Sequence, residues 1–209
     1  MKNILLITAS FLIIGCGSET PEDGALVSVK KIPEITVNDY IYTLGEVTIK
    51  WTAFKHSAKA QVGGKFKSAE VKGFTKSTNL STAISGVTFK IPVASTSTND
   101  EVRDYKIVNS FFNTMVDTDS ISGRILSIDE NGSGKLVINM NGQEVEKQYK
   151  WEMDQTNKEI YLKTSIDVLN WGAQSSLDAL NKVCLEQHTG PDGKNVLWPN
   201  VDITVIVDL

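Results

Sequence analysis

Apolar and polar residues alternate with period two along most of the chain. In "EVTIKWTAF", Val47, Ile49, Trp51 and Ala53 share one face while Thr48 and Lys50 take the other, the pattern of a strand with one side buried. "GVTFKIPV" groups Val87, Phe89 and Ile91 against Thr88 and Lys90, and "VDITVIVDL" groups Val201, Ile203, Val205 and Val207. Between them "SISGRILSID", "GKLVINM", "EVEKQYKWEM" and "EIYLKTSIDV" read as further strands, and "DENGSG", "NGQ" and "DQTNK" as the turns joining them. "QVGGKFKSAEVKGF" reads as one more strand, bent or bulged at Gly63-Gly64.

The alternation breaks twice. In "TNDEVRDYKIVNSFFNTMVD", Val102, Tyr105, Val108, Phe112 and Met115 recur at helical spacing. Thr98 and Glu101 supply a capping-box pattern at its start. A second helix is expected from Ser175 to His188, with Leu177, Leu180 and Cys184 as its buried stripe and Gly190-Pro191 as its end. About eight strands with hairpin turns and two short helices predict an all-β fold, an antiparallel up-and-down barrel or a sandwich. An eight-stranded barrel either fills with side chains or holds one small ligand. The large inward groups Trp51, Phe66, Phe89, Trp151 and Met153 leave both options open.

The first residues belong to a different pattern. Lys2 precedes an apolar run from Ile4 to Ile14 that is too short to span a bilayer, which takes about 20 residues, and fits a secretory signal. It ends in "IIGC", which resembles the bacterial lipobox. That resemblance implies cleavage before Cys16 and acylation of its sulfur and amino group. The expected organisation is therefore a lipoprotein signal peptide at 1–15, a lipidated Cys16 with a flexible tether over 16–33, and one domain over 34–209. Acyl chains anchor strongly, at about 0.8 kcal/mol per buried CH₂. The expected location is the cell envelope, on the outer membrane, facing the periplasm or the surface.

Charge removes one class of partner. The formal net charge is −4 and no basic cluster interrupts the chain, which argues against nucleic acid. With Cys16 acylated, Cys184 has no disulfide partner and packing must hold the fold.

Candidate chemistry is sparse. Asp129, Asn131 and Ser133 imitate a calcium loop, but Met140 stands where the closing Glu belongs; a hairpin turn is the better reading. Cys184 and His188, at i and i+4, lack the further ligands that a zinc site needs. His56 has no local nucleophile or carboxylate orienter, and Asp104 and Asp117 read as helix-surface or capping groups. No catalytic residue, metal site or cofactor is assigned, and the chain is expected not to be an enzyme. A hydrolase using His56 or the Cys184–His188 pair is the distant enzymatic alternative.

Three stretches carry a family resemblance. "VTIKWTAFKHSAKAQVGGKF", "FKIPVASTSTNDEVRDYKIVNSFFNTM" and "LNKVCLEQHTGPDGKNVLWPNVDI" resemble the YceI-like family from about Glu46 to Leu209. The most specific block joins an Ile-Pro strand end, a Ser/Thr-rich turn, Arg103-Asp104 and Phe111-Phe112. Cys184, His188, Trp198 and Pro199 match a Cys/His helix and a Trp-Pro strand start of members secreted by Bacteroidetes-type bacteria.

The resemblance implies a lipocalin-like antiparallel barrel whose apolar cavity holds a long-chain lipid: polyisoprenoid, quinone-like or fatty-acyl. The family has no established catalytic residues. The chain departs from many relatives in "FFNTM", where Phe-Phe-Asp and a Tyr-Pro pair are common. On this reading Trp51, Phe66, Phe89, Met140, Trp151 and Met153 line the cavity, with Phe111 and Phe112 near one opening. The expected function is a membrane-anchored lipid carrier. The alternative is a packed barrel acting as an envelope structural or interaction module, and a homodimer is compatible with either.

Overall fold

The computed structural model describes residues 41–209. The signal peptide, the Cys16 lipidation site and the tether expected before them lie outside the described residues.

Among the described residues ten strands form one antiparallel sheet: β1 (Val47–Lys55), β2 (Ala60–Phe66), β3 (Glu70–Lys72), β4 (Thr88–Pro92), β5 (Thr96–Ser97), β6 (Ser120–Asp129), β7 (Ser133–Met140), β8 (Gln143–Asp154), β9 (Glu159–Asp167) and β10 (Leu197–Asp208). Their spatial order is β3-β4-β6-β7-β8-β9-β10-β1-β2-β5. The eight longer strands are those the alternation predicts; β3 and β5 are short edges. The sheet curls because one stretch of chain serves both margins. Residues 88–92 pair with β6, and after a 3₁₀ turn at Val93–Ser95 residues 96–97 pair with β2. First and last long strands also meet, Val47 lying opposite Val207.

Four helices accompany the sheet: α1 (Leu80–Ile84), α2 (Glu101–Ser110), α3 (Gln174–Val183) and α4 (Leu185–His188). The expected helix over 175–188 is thus broken at Cys184, whose φ of −118° and ψ of 25° leave the helical region. The start of α2 also differs from expectation. Asp100 is the N-cap, its carboxylate accepting from the Arg103 N–H at 3.0 Å. Thr98 instead donates both its N–H and its hydroxyl to Asp104 Oδ1, at 2.7 and 2.6 Å. Val102 and Tyr105 are 67% and 69% exposed, so they are not the buried stripe; Ile107 of the helix, and Phe111 and Phe112 just beyond its end, face the core.

Expectation and structure part most sharply at "QVGGKFKSAEVKGF". It is two strands, β2 and β3, at opposite ends of the spatial order. The β1–β2 ladder runs without interruption from Ile49↔Phe66 to Lys55↔Ala60, so the glycine pair neither bends nor bulges it. Irregularities fall elsewhere. In β6 the register shifts between Ile125 and Ser127. The extra residue, Leu126, is 42% exposed, and the side-chain alternation reverses beyond it. The other irregularity lies between Ala53 and Lys55 opposite β10, where Pro199, which cannot donate to a ladder, is accommodated.

The packed core sits toward one end of the curled sheet. Trp171 and Ala173 are fully buried there beside Val93, Phe112, Met115 and Leu177. Trp171 comes from a 3₁₀ turn, Val168–Trp171, closed by Gly172 in the left-handed region at φ 65°. Its indole donates to the Ile138 carbonyl at 3.1 Å and its own carbonyl accepts from Asn141 Nδ2 at 2.7 Å. Asn141-Gly142 forms the β7–β8 turn with both φ values positive, 51° and 67°, as an Asn-Gly hairpin requires. The calcium-like stretch is a hairpin turn too, Asn131 Oδ1 accepting from the Ser133 N–H at 3.0 Å between β6 and β7.

Candidate functional site: an apolar cavity inside the curled sheet

Inward positions of the strands enclose a cavity of about 220 Å³. The sets read from alternation meet there: Val47, Ile49 and Trp51 from β1, Phe89 and Ile91 from β4, and alternate residues of β10 from Val201 to Val207. The bulge at Leu126 decides the β6 contribution. It lets Ile125 and Ile128, three residues apart, both face inward.

Six aromatic and sulfur-containing residues singled out from the sequence line this cavity: Trp51, Phe66, Phe89, Phe111, Phe112 and Met140. Phe111 and Phe112 meet edge to face, with centroids 5.1 Å apart, and Phe112 lies 6.5 Å from Phe66. Trp151 and Met153 do not line it. The Trp151 indole donates to the carbonyls of Asp129 and Ser133 at 2.9 and 3.2 Å, pinning β8 to the β6–β7 hairpin. Met153 is half-buried further along, its sulfur contacted by Gln155 Nε2 at 3.3 Å.

The space is hollow although its wall carries large rings, and glycine is the reason. Trp51 pairs across the ladder with Gly64, Phe89 with Gly123, and Tyr149 with Gly134. A Cβ on Gly64 would stand 2.3 Å from the Trp51 ring, one on Gly123 2.4 Å from Phe89, and one on Gly134 2.3 Å from Tyr149. Each ring therefore lies down over its partner's bare backbone instead of projecting into the interior. Reading the sequence alone missed these seats, because the opposite strand's register is not local information.

Polarity inside is nearly absent. Among lining residues only Trp51, Tyr149 and Thr164 carry polar side-chain atoms. The two hydroxyls bond the wall: Tyr149 donates to the Ser127 carbonyl at 2.7 Å and Thr164 to the Gln148 carbonyl at 2.8 Å. Burial first, and then the Asp129 carboxylate, push the Tyr149 phenol above its ordinary range, so it stays neutral. The outer face is the reverse, with exposed cross-strand pairs such as Lys135–Glu146 and Arg124–Glu144.

The remaining candidates are structural in their contacts. His56, at φ 63°, donates from Nε2 to the Gln187 carbonyl at 3.0 Å, and its own carbonyl accepts from the Trp198 indole at 2.8 Å. His188 is buried and bonds through Nδ1 to Asn181 Oδ1 at 2.8 Å; Asn181 in turn donates to Asn195. Burial, followed by Lys55, His56 and Lys106, pushes its imidazole down to about 4. Cys184 is a buried free thiol. No cluster of three or more His, Cys, Asp or Glu that could hold a metal occurs among the described residues.

An all-β lipocalin-like chain is the class that this curled sheet and its cavity define. No protein-family model and no curated protein sequence matches the chain. Solved structures do. One is a polyisoprenoid-binding domain from Saccharophagus degradans, described as implicated in plant cell wall breakdown, at TM-score 0.54 and 11% identity, covering 77% of this chain and 91% of that one. BcnA of Burkholderia cenocepacia aligns at TM-score 0.52 and 10% identity, covering 77% and 94%. A Campylobacter jejuni YCEI protein aligns over 59% of this chain and 78% of its own at 18% identity, but its TM-score of 0.44 adds no weight. In fold the chain is similar to the first two of these structures, with the lipocalin-like architecture that the sequence resemblance implied.

Proposed function

We propose that the protein binds a long-chain apolar or amphiphilic lipid (polyisoprenoid, quinone-like or fatty-acyl) with its tail in the cavity. The observation carrying this reading is a wall that is almost wholly apolar. The Tyr149 and Thr164 hydroxyls are already bonded to wall carbonyls, and the other lining side chains are hydrocarbon, ring, indole or thioether. Such a space repels water and favours a chain that loses about 0.8 kcal/mol of unfavourable hydration per CH₂ buried, before ordering costs. That a structure of the same fold is described as a polyisoprenoid-binding domain supports the same ligand class.

The role is binding and carriage rather than catalysis. The lipobox-like "IIGC" supports a protein anchored through acylated Cys16 to the outer membrane, within the cell envelope. Native mass spectrometry of protein isolated from its own host tests the ligand, with a co-purified long-chain lipid as the expected result. Protein that carries no lipid and takes none up from long-chain mixtures would overturn the reading. Peptide mass spectrometry of the processed N-terminus tests the anchor: acylation at Cys16 is expected, and loss of membrane association in Cys16→Ser.

A further inference from the structure

The inner face of β1 does not end at the apolar cavity. Beyond Trp51 it continues to Ala53 and Lys55, and there a second cavity of about 210 Å³ lies between the sheet, α2 and the α3–α4 pair. Trp51 lines both cavities, so the two spaces adjoin at this residue. Val102, 67% exposed, stands at the rim of the second.

The two spaces differ in chemistry. Lys55, Arg103 and Lys106 reach the second cavity against one acid, Asp100, which Arg103 already contacts at 3.3 Å. Lys55 gives a single hydrogen bond to the Gln187 carbonyl, 2.9 Å away, leaving two of its three ammonium donors. The Lys106 ammonium makes no hydrogen bond or ion pair among the described residues. His188, neutral at physiological pH, adds no charge of its own. A pocket with surplus cations beside an almost wholly apolar cavity matches an amphiphile with an acid at one end.

We propose that the second cavity is a headgroup chamber. It takes the carboxylate or phosphate of a lipid whose tail passes Trp51 into the apolar cavity. This rests on the lipid-binding reading above and sharpens it to acidic lipids.

Tryptophan-fluorescence titration of the full chain with hexadecanol, palmitate and hexadecyl phosphate tests both levels separately. At low salt, at least one acidic ligand should bind about tenfold or more tightly than hexadecanol, the size of one charge-assisted hydrogen bond. Added salt should reduce that preference, and so should the Arg103→Gln/Lys106→Gln variant. Preference for palmitate alone identifies a fatty acid, and preference for hexadecyl phosphate alone a lipid phosphate. Equal binding of all three by the unaltered chain overturns the headgroup chamber and leaves lipid binding standing. A preference unmoved by both salt and the variant also overturns it. Binding of none of the three removes the lipid reading itself. The salt series needs no variant, so a misfolded double substitution does not blunt the test.

Discussion

Trp51 and Gly64 face one another across the β1–β2 ladder, and the indole occupies the place where a Gly64 side chain would be. Gly64→Ala brings a methyl carbon to 2.3 Å from that ring, so the indole must lift into the cavity. The expected cost is about 1–3 kcal/mol by urea denaturation, with weaker uptake of a long-chain probe. Gly123→Ala should cost more, because its Cβ would also stand 2.1 Å from the Val137 carbonyl, and backbone cannot swing aside as a ring can.

The two adjacent phenylalanines separate into different roles. Phe112 is only 7% exposed and belongs to the packed core. Phe111, at the end of α2, is partly exposed and lines the cavity. Phe112→Ala should lower stability by about 3–5 kcal/mol. Phe111→Ala should cost less than half as much, yet weaken retention of bound lipid at least as strongly. Parallel urea titrations and lipid-release rates check the split.

Trp171 anchors the packed end of the sheet. Trp171→Ala removes a fully buried indole and the hydrogen bond it gives the Ile138 carbonyl. A loss of about 3–5 kcal/mol is expected. Trp171→Phe restores most of the volume but not the donor, so it should recover part of the loss and no more. Thermal unfolding of the two variants measures the difference.

His188 makes stability depend on acid. Its imidazole titrates at about 4 in the folded chain, against about 6.5 when unfolded. Between those values the unfolded chain binds the extra proton, so folding weakens as pH falls through that window and the contribution is complete above it. The loss from pH 7 to about pH 4 should be on the order of 2–3 kcal/mol. Urea midpoints across the window, compared with those of His188→Gln, isolate this residue from the carboxylates that titrate alongside it. Equal slopes would exclude it.

Strand faces were legible because each is set by its own alternation: Val47-Ile49-Trp51 and Val201 to Val207 turn inward as the sequence predicts. What stayed hidden depends on partners distant in the chain. Leu126 reverses the β6 pattern only because β7 pairs past it, and Gly63-Gly64 looks like a bend until Trp51 is known to lie opposite. The α2 cap moved from Thr98 to Asp100 because Asn99 adopts φ 60° and turns the chain between them. Trp171 stands in a 3₁₀ turn, which has no long periodicity to read. The second cavity draws on β1, α2 and α4 at once, so no single stretch of sequence announces it.

The pairing of Val47 with Val207 also governs when this chain can fold. β10 lies between β1 and β9, so both wait, with open edges, for the last strand to be made. Contacts of such long sequence separation slow folding, and unpaired strand edges with apolar faces invite aggregation meanwhile. A chain truncated before Leu197 would keep β1 to β9 and still lack the strand that joins β1 to the rest of the wall.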